Sequence, residues 1–383
     1  MERNINISYI PAVDHLRAYA AILVLFFHSV AAIYNTIFPS RGGAWPLTRN
    51  PLMAVIHEGH TGVALFLVLS GFIFTHATVG RKLVYFEFLR NRLLRIYPLL
   101  LTMIFIGVSA FPQKFTMSGF LCLVLPLQNT PGASKLGTYT NIVWTIAVEL
   151  QFYLIFPFLH WVLSKRGCVA LLLLLLFTML ARLSAVLEGC DPREVSYWTI
   201  LGRLDQFLIG MMVAVGVKYF TTEEGRLRWC LPAGGVGLLM TLYVFHRLGG
   251  WPKVAMWKIM WPPVEGIFWG AIIAGYLSFF HDERKSILSR LVASIGRISY
   301  SMYLIHPVII NIVVKYSFYF HIPNSSYMGP LLSTLTIVLP ITMIVSCLSY
   351  HAIEKPFLEF RHAYLAPNNT DVKEHIETLS EST

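Results

Sequence analysis

Ten separate stretches of this 383-residue chain are apolar over lengths that cross, or nearly cross, about 30 Å of hydrocarbon. They lie near residues 18–35, 61–77, 96–111, 144–163, 168–187, 200–220, 231–245, 264–280, 300–314 and 329–350. Inside a bilayer every backbone N–H and C=O must be satisfied within its own segment, which leaves helices as the economical solution for separate runs of this kind. The expected fold is all-α, a polytopic integral membrane helical bundle of ten transmembrane helices. A further piece, Gly119–Leu127, contains Pro126 and is too short to cross untilted, so a re-entrant or interfacial segment is expected there; if it crosses, the spans number eleven. Composition agrees: only 13% of residues are charged, about half the share in a soluble domain, and mean hydropathy is +0.61.

The net charge of +10 suggests nucleic acid at first sight, but the basic residues fall in short runs between apolar segments, as the positive-inside bias requires. With the N-terminus inside, the cytoplasmic segments hold Arg81, Lys82, Arg90, Arg92 and Arg95, then Lys165 and Arg166, then Arg226 and Arg228, then Arg284, Lys285, Arg290 and Arg297. N-in, C-in in a cytoplasmic (inner) membrane fits best, with membrane lipids as neighbours and no nucleic acid. Cys122, Cys168, Cys190, Cys230 and Cys347 show no paired spacing, so neither a disulfide framework nor a metal site is expected. Residues 1–362 form the membrane domain. From Ala363 the chain turns polar and acidic, and 363–383 reads as a disordered cytoplasmic tail.

Within the first run, Arg17 and His28 are eleven residues apart, so they fall within roughly 20° of one helix face and about 16 Å apart along the axis. An ionisable group at His28's depth is costly unless it meets a partner or a cavity, which makes it a site candidate; a bundle-interior histidine bonded to a neighbouring helix is the plainer alternative. Trp144 opens the fourth run as an interfacial tryptophan, and Glu149 lies about 7 Å deeper, toward His28. A carboxylate there could orient the imidazole as a general base. Arg90, Arg92 and Arg95 precede a Tyr97-Pro98 helix stop. Arg92 and Arg95, one turn apart, can converge on a polyphosphate, although a basic juxtamembrane segment also serves topology or anionic lipid.

Taken together, the Arg17-to-His28 spacing, Gly62-Val-Ala-Leu-Phe-Leu-Val-Leu-Ser70-Gly71-Phe72, Arg92-x-x-Arg95-x-Tyr-Pro, Trp144-Thr-x-x-x-Glu149, Gly202-Arg-Leu-Asp205, Gly296-Arg-x-Ser-Tyr-Ser-Met-Tyr-Leu-x-His306 and Glu354-Lys-Pro356 resemble the membrane acyltransferase-3 family over residues 10 to 360. The resemblance implies O-acyl transfer, usually acetyl from cytoplasmic acetyl-CoA as co-substrate to a hydroxyl of a carbohydrate or lipid-linked glycan. It implies His28 as the catalytic histidine with Arg17 as its motif partner, Arg90, Arg92 and Arg95 for the donor, and Glu149 in the site. Some relatives carry a fused hydrolase-like domain. This chain stops soon after its last run, so either the spans suffice or a periplasmic partner acts in trans. Arg203 and Asp205 either pair with each other or contact the acceptor, and His306 either lines the same cavity or is a packed histidine at a proline kink. Ser70 and Gly71 are expected to allow close helix packing. The rival class is a transporter or exporter, since buried charges also mark substrate pathways.

Overall fold

The computed structural model describes residues 9–39, 48–130, 141–219, 224–280, 286–322 and 327–365. Among these the chain is helical, apart from short 3₁₀ turns, connections and one bridge between Leu83 and Leu365. In order the helices are α1 (Pro11–Ile37), α2 (Pro51–His57), α3 (Thr61–Thr78), α4 (Tyr85–Ala110), α5 (Met117–Val124), α6 (Val143–Leu187), α7 (Pro192–Tyr197), α8 (Ile200–Tyr219), α9 (Glu224–Leu227), α10 (Cys230–Arg247), α11 (Trp261–Phe279), α12 (Ile287–Arg297), α13 (Ser299–Lys315) and α14 (Met328–Leu358). The starts are chemically marked: Pro11 stands in the first turn of α1, the Asn50 side chain accepts from the Leu52 amide to cap α2, and Asp191 caps α7 ahead of Pro192.

Among the described residues seven helices are long and apolar enough to cross a membrane, or eight if the bent pair α12 and α13 counts as one span. The fourth and fifth apolar runs form the two arms of α6, about 36 and 30 Å long at 1.5 Å per residue, each close to a bilayer's hydrocarbon depth. The helix breaks at Gly167, whose φ of +69° a residue with a Cβ rarely adopts. The eighth run corresponds to α11, which carries Glu265 and two prolines in its first turn and is not among the seven. At eight residues, α5 is too short to cross. Leu172, Leu173, Leu176, Phe177 and Leu180 are exposed along the second half of α6, as a lipid-facing surface requires.

The core is built on backbone contact between α3 and α8. A Cβ on Gly71 would lie 2.1 Å from the Phe207 carbonyl oxygen, and one on Gly210 would lie 2.0 Å from that of Val68, so only hydrogens fit. α1 packs against α3, α12 and α13, which carries Arg17 and His28 into the interior.

Two expectations change. α4 runs straight through Pro98 instead of stopping there, because a proline forfeits one backbone bond and neighbouring helices support the turn. The tail expected from Ala363 begins later: the Val84 amide donates to the Tyr364 carbonyl at 2.8 Å, and the Tyr364 ring is buried against Phe88. Residues 366–383, the rest of the expected tail, lie outside the described residues.

Candidate active site

Near the N-terminal end of α1, Arg17, Arg92, Arg95, Glu149, Ser70, Tyr153, Tyr300 and Tyr303 line one cleft of about 780 Å³ of empty space, its mouth included. Arg17 pairs with Asp14 at 3.1 Å. Arg92 stacks on Phe74 at 4.7 Å and on Phe88 at 5.5 Å, with Tyr364 at 5.8 Å, and makes no ion pair among the described residues. Arg95 likewise has neither an ion pair nor a hydrogen bond among them. Glu149 accepts from Ser70 Oγ at 3.2 Å and from the Tyr153 hydroxyl. Three guanidinium groups face one lining carboxylate, with Asp14 paired to Arg17 and Glu354 acting on Arg95, an arrangement chemically suited to an anion. Arg90 does not line the cleft: its guanidinium bonds His362 at 2.7 Å and pairs with Glu87 at 3.6 Å.

His28 lies beyond the cleft wall, bonded to His306 and not to Glu149. His306 Nδ1 is 3.1 Å from the Met302 carbonyl, which can only accept, so Nδ1 carries the hydrogen. In the neutral ring Nε2 is then an acceptor, and it lies 3.1 Å from His28 Nδ1. His28 therefore holds its proton on Nδ1 and presents the lone pair of Nε2, the arrangement that a carboxylate gives the histidine of a hydrolytic triad. The two rings stack at 5.1 Å, and Tyr303, on the cleft wall, packs 5.7 Å from His306. The expected meeting of His28 and Glu149 is thus replaced by a partner 278 residues away in sequence. Depth along a helix fixed how far in each group lies, not which way it points.

Arg203 and Asp205 do not pair with each other. Asp205 receives Arg182 Nη2 at 2.5 Å and Thr178 Oγ1 at 2.5 Å, all three buried. Arg203 faces Glu265 at 3.7 Å and lies 4.0 Å over the Tyr197 ring. Two residues apart on a helix, the pair diverge by about 200°. Trp144, expected at the interface, is buried against Tyr197 and Trp198. Ser70 does more than permit packing, since it bonds Glu149, whereas Gly71 does pack as expected.

Sequence reasoning missed a second cluster at the opposite end of α3. Glu58, buried, accepts from His60 Nε2 at 3.1 Å and from His246 Nδ1 at 2.9 Å. Against the upward push of burial, those two hydrogen bonds hold the Glu58 carboxyl below its ordinary value. Burial, then the neighbouring His246, takes His57 down to about 4, and burial takes Lys258, on the same side, down to about 8. The signal was available: His57, Glu58 and His60 are three titratable residues in four, immediately ahead of an apolar run.

A family model described as an acyltransferase domain matches residues 10–351. The chain is 25% identical to "Putative peptidoglycan O-acetyltransferase YrhL" of Bacillus subtilis, over 91% of this chain and 55% of that protein. It is 23% identical to "O-acetyltransferase OatA" of Staphylococcus aureus, over 93% of this chain and 58% of that one. To "Putative membrane-bound transacylase BcsY" of Komagataeibacter xylinus it is 25% identical, over 91% and 83%. The chain therefore spans little more than half the length of the first two. No solved structure matches it.

Proposed function

This chain belongs to the membrane acyltransferase-3 family, and from that premise we propose that it transfers an acetyl group from acetyl-CoA to a hydroxyl of a cell-surface carbohydrate or lipid-linked glycan. The observation that carries the reading is the cleft in which Arg92 and Arg95 make no salt bridge at contact distance among the described residues, one wall away from a histidine whose tautomer is fixed. CoA is a polyphosphate, and paired guanidiniums one turn apart suit it. The donor enters at the Arg17 end, which the positive-inside bias of the basic loops assigns to the cytoplasm, and its thioester reaches past Tyr303 toward His28.

There His28 Nε2 takes the proton of the acceptor hydroxyl as the oxygen attacks the thioester carbonyl. The C–S bond then breaks, and the imidazolium returns the proton to the leaving thiolate. His306 holds the ring in the productive tautomer, Arg17 helps hold the donor, and Glu149, fixed by Ser70 and Tyr153, organises the cleft around it.

The test is to incubate the purified chain with acetyl-labelled acetyl-CoA and follow free thiol and the label. Thiol release with transfer of the label to glycan supports acyl transfer. Movement of a solute across proteoliposomes with the thioester intact would instead establish the transporter reading.

A further inference from the structure

Resting on the acyl-transfer reading, we propose that Glu58 and His60 form the acceptor-binding site, in which a carbohydrate hydroxyl donates to His60 Nδ1. A carboxylate can only accept, so the 3.1 Å contact from His60 Nε2 places the ring hydrogen there and leaves the lone pair of the neutral ring on Nδ1. That Nδ1 is buried and has no hydrogen-bond partner among the described residues. A buried acceptor left unmade is costly to a fold, and its usual explanation is a partner that arrives with a ligand.

A purely structural role accounts for Glu58 and His246 but not for His60. His246 gives its Nδ1 hydrogen to Glu58 and accepts the Thr48 amide on Nε2 at 3.0 Å, so it is fully used in tying α10 to the loops. A metal is not what the cluster waits for: both imidazoles spend a hydrogen on one carboxylate, so their lone pairs do not converge. Among the described residues no group of three His, Cys, Asp or Glu could hold one.

Two further groups near His60 share its condition. Arg203 leaves Nη2, and Glu265 leaves Oε1, buried without a hydrogen-bond partner among the described residues. Tyr197 joins them, its ring 5.4 Å from that of His60 and 4.0 Å beneath the Arg203 guanidinium. An acceptor on His60, a donor on Arg203 and another acceptor on Glu265 match the neighbouring hydroxyls of a sugar, each of which can both give and take a hydrogen bond. The site is also in the right place. The Phe27 ring touches both histidines, 4.9 Å from His28 and 5.5 Å from His60. A sugar bound there through one hydroxyl leaves another for the His28 base.

The experiment measures initial rates of the detergent-purified full chain with labelled acetyl-CoA and two probes, chitotetraose and cellotetraose. His60→Ala is expected to raise the KM for the accepted glycan tenfold or more while the KM for acetyl-CoA moves less than twofold. His60→Asn, whose amide oxygen can stand near the Nδ1 position, is expected to recover part of that loss. An acceptor KM unchanged in both variants, or a loss confined to protein yield, overturns the proposal. Wild-type thiol release with neither glycan labelled overturns the carbohydrate assignment and this site with it, leaving the His28 chemistry standing; no thiol release at all overturns the acyl-transfer reading itself.

Discussion

His306 deserves the weight usually given to a catalytic acid, because together with the Val24 carbonyl, which also bonds the His28 ring, it fixes which nitrogen of His28 is free. His306→Leu removes that constraint without touching either substrate, so kcat should fall about 10- to 100-fold with both KM values nearly unchanged, as for other residues that orient a working ligand. Steady-state kinetics decide it; a kcat within twofold of wild type would make His306 a packing residue. Asp205 is a different case. Its partner Arg182 is wholly buried, so Asp205→Asn strands a guanidinium and should cost about 3–5 kcal/mol, read as a drop in melting temperature in detergent. At the Glu58 cluster, His57 faces His246, Glu58 and Tyr327. Because its native value sits near 4, below the usual 6.5, the unfolded chain binds a proton between those values that the native one refuses. Stability should thus fall as pH drops from 6.5 to 4, with Glu58 adding to the loss near the bottom of that window, and His57→Gln should flatten the curve. His28 was legible in the sequence because an imidazole deep in an apolar run is costly. Its partner was not, because pairing across 278 residues is a property of packing.

At the scale of elements, α4 carries the arginines that the proposal assigns to the donor, and residues 361–365 brace it. The sequence shows its three arginines, but only the fold separates them: Arg92 and Arg95 turn into the cleft, while Arg90 turns to His362. Asn91 grips that segment twice, donating to the His362 carbonyl at 2.6 Å and accepting its amide at 3.0 Å, and this sets Tyr364 beneath Arg92. Replacing Arg92 and Arg95 together by Ala removes charge-assisted bonds of about 1.5–3 kcal/mol each. The acetyl-CoA KM should rise by at least tenfold, and the preference for acetyl-CoA over a thioester lacking the nucleotide should shrink in step. Unchanged CoA binding in a direct titration would move the donor site elsewhere. Pro98 shows why the boundary of α4 was misread: proline chemistry predicts a lost hydrogen bond, and whether a helix ends there depends on neighbours that a local reading cannot see.

For the whole molecule, apolar run length revealed a helical membrane bundle, including the two runs that meet at the Gly167 break in α6. The molecule offers two ends with different chemistry, guanidiniums at the Arg17 end and a carboxylate–histidine cluster at the other, with His28 between them. In the proposed topology, reporters fused near residues 82, 225 and 285 should sit in the cytoplasm, and those near 45, 130, 190 and 320 on the opposite face; an inverted pattern would put the arginine cleft on the side without CoA. The whole arrangement has a use only if acyl transfer passes through His28. Thiol release from acetyl-CoA in the presence of acceptor should therefore fall 100-fold or more in purified His28→Ala, with the variant inserting and melting like wild type, since alanine is the cheaper residue in a bilayer. Wild-type release from that variant would contradict it.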